Sequence, residues 1–240
     1  MADMTDGMTQ PARDAQAFEP YLQHQAGTNG CGTTGMAMIL SFWQGRPGAF
    51  DRAQIDARIR CGPDALAFTS PNHLVRYGRG QGFRCRGINH GSWDRLLGLL
   101  DQGVPVLVLY DPPGDGHDML LHYVVVVGYT ESPAGEVSHL TIADPATGRL
   151  AGLRRTDFEA RWHDLRLLGV STGLSEVMIV VLPDTNTPVR HRMGTLGMTD
   201  DIHLPEGDLG VSSVVAELVS DAVNALNPVQ GIKNAWSKFF

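Results

Sequence analysis

The stretch "HYVVVVGYT", His122 to Thr130, limits the fold more than any other part of this chain. Its apolar run is rich in β-branched valine, which suits a pleated strand better than a helix. It falls far short of the roughly 18 to 20 apolar residues that a membrane span needs. A buried strand needs partners, and three more strand-like runs supply them: "VPVLVLY" (Val104 to Tyr110), "HLTIAD" (His139 to Asp144) and "SEVMIVVL" (Ser175 to Leu182). The turn-forming stretches "DPPGDGHD", "ESPAGE" and "DPATG" separate them.

The first half of the chain has a different texture. After Cys31, residues Met36, Ile39, Leu40 and Trp43 recur at the spacing of one helix face, and "GRPG" (Gly45 to Gly48) ends that helix. Further helices are expected over Arg52 to Ile59, over Ser70 to Gly80 with Ser70 as the cap before Pro71, and over Trp93 to Leu100 behind Ser92. "GFRCRG" around Cys85 reads as a short strand or loop. Helices first and strands later give an α+β domain, with the helical half packed on an antiparallel sheet.

Composition sets the class. The chain has 240 residues, 42% hydrophobic and 19% charged, which is a globular balance with enough length for a real core. The formal charge of -7, with no Lys/Arg cluster, argues against nucleic-acid binding. "MADMTDGMTQPARDAQ" has neither a basic start nor an apolar core, so it does not read as a secretory signal. Three cysteines, Cys31, Cys61 and Cys85, fit a reducing compartment. A cytoplasmic location is therefore expected, or export by a route that uses no signal peptide. A Cys61–Cys85 disulfide is not needed there.

Residues 1–18 are expected to be a flexible polar tail, 19–188 the folded domain, and 189–240 an extension carrying an amphipathic helix. In that extension Val214, Val215, Leu218, Val219, Ala222, Val223 and Leu226 make a broad apolar face, broken at Asn227-Pro228. Docking on the domain is the simpler expectation. The alternative is a partner protein or a membrane surface, because Trp236, Phe239 and Phe240 stand beside Lys233 and Lys238.

A thiol nucleophile needs a lowered pKa, a base within reach and a donor for the oxyanion. Cys31 follows the small loop "GTNG" and heads a helix, where the macrodipole and free N–H groups favour thiolate. A small buried hydrophobe is an equally good reading of Cys31 from local sequence alone. Cys61 and Cys85 read as structural. Among nine histidines, His122 stands at the mouth of the valine strand, on a rigid element. Asp144 ends the following strand, where antiparallel pairing brings it beside His122. It is expected to accept the imidazole Nδ1–H and to open an Asp-Pro turn as well. Asp111, Asp115, His117 and Asp118 cluster in "DPPGDGHDML", but without EF-hand spacing and with no HExxH elsewhere. No metal or other cofactor is expected, and that loop reads as a solvated border of the cleft.

Taken in order, "QAGTNGCGTTGMAMIL" (Gln25 to Leu40), "GVPVLVLY" (Gly103 to Tyr110), "HYVVVVGYT" and "LTIADPATG" (Leu140 to Gly148) resemble the papain-like cysteine peptidases of the bacteriocin-leader-processing, double-glycine type. "TDFEARW" (Thr156 to Trp162) looks like that family's closing segment, and the likeness spans roughly residues 20 to 182. The resemblance implies a papain-like fold and a bacterial hydrolase acting on a peptide or protein. It implies Cys31 as nucleophile, His122 as base, Asp144 as its orienter and Gln25 as oxyanion-hole amide, with Gln23 the second-choice glutamine. An acyl- or peptidyl-transferase on the same triad, or a non-catalytic binding module that keeps the fold, are the alternatives. No GxxxxGK[ST] phosphate loop accompanies these stretches, so an ATP-driven exporter is not expected.

Overall fold

The computed structural model describes residues 15–25, 30–59, 69–112, 121–167, 170–184 and 202–209. Helices α1 (Ala15–Phe18), α2 (Cys31–Gln44), α3 (Arg52–Ile59) and α4 (Pro71–Gly80) come first. Then follow β1 (Phe83–Ile88), α5 (Trp93–Asp101), β2 (Val106–Tyr110), β3 (His122–Glu131) and β4 (Val137–Asp144). The chain continues through β5 (Arg149–Arg154), α6 (Arg155–Trp162), β6 (Leu165–Leu167), β7 (Val170–Leu174) and β8 (Val177–Pro183).

Six strands form one sheet in the order β1-β8-β2-β3-β4-β5, and every neighbouring pair is antiparallel. β6 and β7 make a separate hairpin. The fold is α+β, with helices packed on an antiparallel sheet, as the sequence led us to expect. All residues of β2 and β8 are buried, and so is β3 from Tyr123 to Gly128. Their near-continuous apolar runs follow from having helices on both faces, which leaves no solvent side to demand alternating polar residues.

α2 is the central helix. Every residue from Cys31 to Trp43 is buried, as expected for a helix enclosed on all sides rather than lying on a surface. On one side it meets β2, β3, β4 and β8, and on the other α3, α4 and the 3-10 turn Glu19–Tyr21. It stops at Gly45, which adopts φ 67° and returns its N–H to the carbonyls of Phe42 and Ser41. α5 packs on β2 and β3, and α6 on β2 and β4. Trp43 of α2 and Trp162 of α6 both donate their indole N–H to β8, at Val181 O (2.8 Å) and Val177 O (3.3 Å). That satisfies both buried donors and fastens two helices to one strand.

Some expectations need correction. The tail expected over residues 1–18 does not reach residue 18. Ala15 and Phe18 are buried, and the Phe18 ring sits 5.2 Å from that of Phe42, so α1 belongs to the packed domain. Ser70 precedes α4 but makes no side-chain cap; its backbone carbonyl, not its hydroxyl, receives the N–H groups of His73 and Leu74. Ser92 does cap α5, accepting from Arg95 N–H at 3.2 Å. β5 and the β6–β7 hairpin were not foreseen. Residues 202–209 lie beside β1 as a strap, with Ile202 and Leu209 buried and with Arg84, Arg86 and Arg95 donating to its carbonyls. The helix expected from Val211 onward and Cys61 both lie outside the described residues.

Candidate active site

The topology brings three strand ends together. β2 ends at Tyr110, β3 starts at His122 and β4 ends at Asp144, and antiparallel pairing puts those ends on one rim of the sheet. Tyr110 lies directly opposite His122 in register. The pairings Val125↔Ala143 and Val126↔Ile142 set Asp144 on the diagonal from His122, within reach of a ring and a carboxylate. Cys31 comes to the same rim because the first turn of α2 lies on β3. Gly32 allows that approach: a Cβ there would sit 2.9 Å from Tyr123 Cδ2 and 3.2 Å from Leu74 Cδ1. Any side chain at this position would lift Cys31 off the strand.

His122 Nε2–H donates to Asp144 Oδ1 at 2.8 Å. The ring is therefore used the other way round from the sequence expectation, in which Nδ1–H faced the aspartate. With Nε2 on Asp144, the imidazole presents Nδ1 to Cys31, whose thiol is hydrogen-bonded to this ring. Asp144 is itself fixed, because the same Oδ1 accepts Ala146 N–H at 2.9 Å across the Asp-Pro turn. Cys31, His122 and Asp144 thus form one connected line.

Electrostatics along the line are reciprocal. Burial opposes ionisation of Cys31, but His122 outweighs it by hydrogen bond and charge. The backbone N–H groups of Tyr123 and Gly32 add to this, and the thiol is held below its ordinary value. Burial likewise opposes a charged His122, but the bonds to Asp144 and Cys31 prevail and raise it to about 9. Asp144 is held below the usual carboxylate range: burial is overcome by His122, with help from the Ala146 N–H and the Thr147 hydroxyl. All three shifts act in the sense that favours a Cys31 thiolate beside a His122 imidazolium.

Gln25 reaches the site through its backbone. Its N–H donates to Pro145 O at 2.8 Å, next in the chain to Asp144, and its side-chain oxygen is buried. The neighbouring His24 packs on Gly148 of the same turn. Gln23 is engaged elsewhere, donating from Nε2 to Phe50 O at 3.1 Å. The two glutamines are therefore separated by structure, with Gln25 on the rim and Gln23 bracing the end of α2.

Sequence reasoning missed Tyr110 and Tyr123. Tyr110 is 5% exposed, with its ring centroid 6.1 Å from that of His122. Burial first, and then the negative charge of Asp144, push its phenol far up, so it stays protonated. The available signal was a tyrosine ending a strand otherwise made of aliphatic residues. Tyr123 contributes a main-chain N–H, which no sequence pattern marks. Of the loop "DPPGDGHDML", only Asp111 and Pro112 are described, and both are tied to α6 at Arg161. Among the described residues, no group of three His, Cys, Asp or Glu is placed to hold a metal ion, and no helix is long and apolar enough to cross a membrane.

Comparison with solved structures returns peptidase domains. A protein from Bacillus anthracis described as C39-like superposes with a TM-score of 0.52 at 15% identity, covering 73% of this chain and 99% of its own. The peptidase domain of Streptococcus ComA, a bi-functional ABC transporter involved in a quorum sensing pathway, gives 0.49 at 19% identity, over 68% of this chain and 98% of its own. The ComA peptidase domain of Streptococcus mutans gives 0.44 at 18% identity, over 68% and 99%. No curated protein matches the sequence. The Peptidase_C39-like family model matches residues 15–169, from the start of α1 to two residues beyond β6, so the chain belongs to the Peptidase_C39-like family, and that family and fold support a peptidase.

Proposed function

We propose that the protein is a papain-like cysteine peptidase that hydrolyses a peptide bond through Cys31, His122 and Asp144, with Gln25 completing the oxyanion site. The observation that carries this reading is the line Cys31–His122–Asp144 at the head of α2, together with the lowered thiol and raised imidazole it produces. Cys31 Sγ attacks the peptide carbonyl carbon as thiolate. The resulting oxyanion takes N–H donation from the Gln25 side chain and from the Cys31 backbone, which is free of helix bonding at this terminus. The C–N bond breaks as His122 passes its proton to the leaving amine. Water then gives a proton back to His122, attacks the thioester and releases the acid, regenerating the thiolate. Asp144 keeps the imidazole oriented throughout and stabilises it whenever it carries the proton.

A thiol-directed electrophile tests this near neutral pH. Fast, selective labelling of Cys31, lost in Cys31→Ala and slowed in His122→Ala, is the expected result. Faster labelling of Cys61 or Cys85 contradicts it. Supplying acyl-donor peptides with and without an added amine then separates hydrolysis from transfer.

A further inference from the structure

Among the described residues, Tyr110 is a buried polar side chain at the rim, against His122, that the mechanism above leaves without a task. It is the direct cross-strand partner of His122, and adjacent residues on paired strands bring their side chains into contact. The two rings are 6.1 Å apart at 55°. Behind Tyr110 stands Phe158 of α6 at 6.0 Å, and Phe158 in turn packs on Trp162 at 4.9 Å and Trp93 at 6.2 Å. The tyrosine ring is thus wedged between the imidazole and a rigid aromatic stack that joins α5 to α6. The groups facing His122 from the elements packed on it are Cys31 of α2, Asp144 of β4 and Tyr110 of β2. Those acting on Tyr110 are Asp144, Cys31, Asp111 and, from α6, Arg161.

We propose that Tyr110 is a positioning residue for His122, its ring bracing the imidazole in the one orientation that joins Nε2 to Asp144 and Nδ1 to Cys31. This rests on the cysteine-peptidase reading. A histidine at a strand end has two soft torsions and swings easily, and the hydrogen bond to Asp144 alone fixes one edge of the ring but not its rotation about that bond. A bulky ring 6.1 Å away and tilted at 55° blocks that rotation. The task belongs to the ring, not the hydroxyl, so phenylalanine suffices there.

The experiment is the pH profile of Cys31 labelling by a small haloacetamide, which needs no substrate. The wild-type profile has a low limb from Cys31 and a high limb from His122. With Tyr110→Leu the imidazole spends time off both partners. The low limb then rises and the high limb falls, each by about one pH unit, which corresponds to a partly lost charge-assisted hydrogen bond. Tyr110→Met, whose longer and more flexible chain adapts to the vacated space, gives the same narrowing and guards against loss of folding in the leucine variant. Tyr110→Phe restores the wild-type limbs. Phe158→Leu, which loosens the support without touching His122, narrows the window by a smaller amount. Unchanged limbs in folded Tyr110→Leu or Tyr110→Met overturn the proposal, as does Tyr110→Phe behaving like Tyr110→Leu. If instead wild-type Cys31 shows no lowered limb at all, the peptidase reading fails, and Tyr110 with it.

Discussion

Cys31 and Cys85 are both free, both buried and 4% and 2% exposed, yet they titrate in opposite directions. Cys85 sits in β1 with its sulfur against Gly78 of α4, so close that no Cβ fits there. Burial pushes its thiol up to about 12, and the nearby charge of Arg79 only moderates this. Arg79 spends its Nε–H on the Cys85 carbonyl, 2.9 Å away, not on the sulfur. Cys31 suffers the same burial but has an imidazole and two N–H groups aimed at its sulfur. Burial sets the direction for a thiol left to itself, and only donors aimed at the sulfur itself reverse it. One molecule therefore holds a thiol whose surroundings favour ionisation and a second that burial keeps protonated.

The largest effect expected from breaking this contrast is on catalysis. Cys31→Ala should lower peptidase activity by at least about 10⁴-fold, the scale seen when a nucleophile is removed from a triad. Cys85→Ala should leave activity within about twofold. Gln25→Ala, which removes one oxyanion donor, should lower kcat by about 10² to 10³-fold while leaving Cys31 labelling intact. That split between labelling and turnover distinguishes an oxyanion role from a structural one. Gly32→Ala pushes against the Tyr123 ring and moves the nucleophile, and a shift of about 1 Å costs about 10²-fold. Both labelling and turnover should fall in that variant. The smallest effect is on stability. Cys85→Ala should cost about 1–2 kcal/mol by leaving a small void beside Gly78, read from urea denaturation, with no change in the pH profile of activity.

The same shifts make stability depend on pH. His122 binds its proton more tightly folded than unfolded. Its contribution is complete below its ordinary value of 6.5 and is lost as pH rises through about 9. Asp144 is the reverse case. Its contribution is complete above 3.8 and is lost as pH falls through its lowered folded value. The His122→Ala variant should lose the part of the alkaline dependence that lies between 6.5 and about 9, and keep the part of the acid dependence that the turn around Asp144 supplies.

Much of this arrangement was legible in the sequence. Strong periodicity marked α2, and unbroken aliphatic runs marked β2, β3 and β8, because elements buried on both sides carry a dense apolar signal. The edge strand β5, "RLAGLR", has no buried residue, so nothing in its composition separates it from a loop. α6 buries only Phe158 and Trp162. At the site, residue types and their order indicated Cys31, His122 and Asp144 before any geometry. The choice of ring nitrogen was not readable, since strand pairing alone lets either edge of the imidazole face Asp144. Tyr110 was hidden for a related reason. A tyrosine closing an apolar strand has the appearance of core, and its place opposite His122 exists only once the register is known.

The central claim is that His122, and not the depth of burial, makes Cys31 a thiolate. Alkylation rates of Cys31 and Cys85 measured in one sample across pH 4 to 10, in wild type and in His122→Ala, test it most directly. The account predicts that wild-type Cys31 reacts as a thiolate below its ordinary value of 9.0, and changes again near the His122 value of about 9, while Cys85 stays inert. In His122→Ala, Cys31 should react much more slowly and shift toward the behaviour of Cys85, because the two N–H groups left at its sulfur only partly offset burial. A Cys31 profile that is unchanged by the loss of His122, or that matches Cys85 in the wild-type protein, contradicts the account.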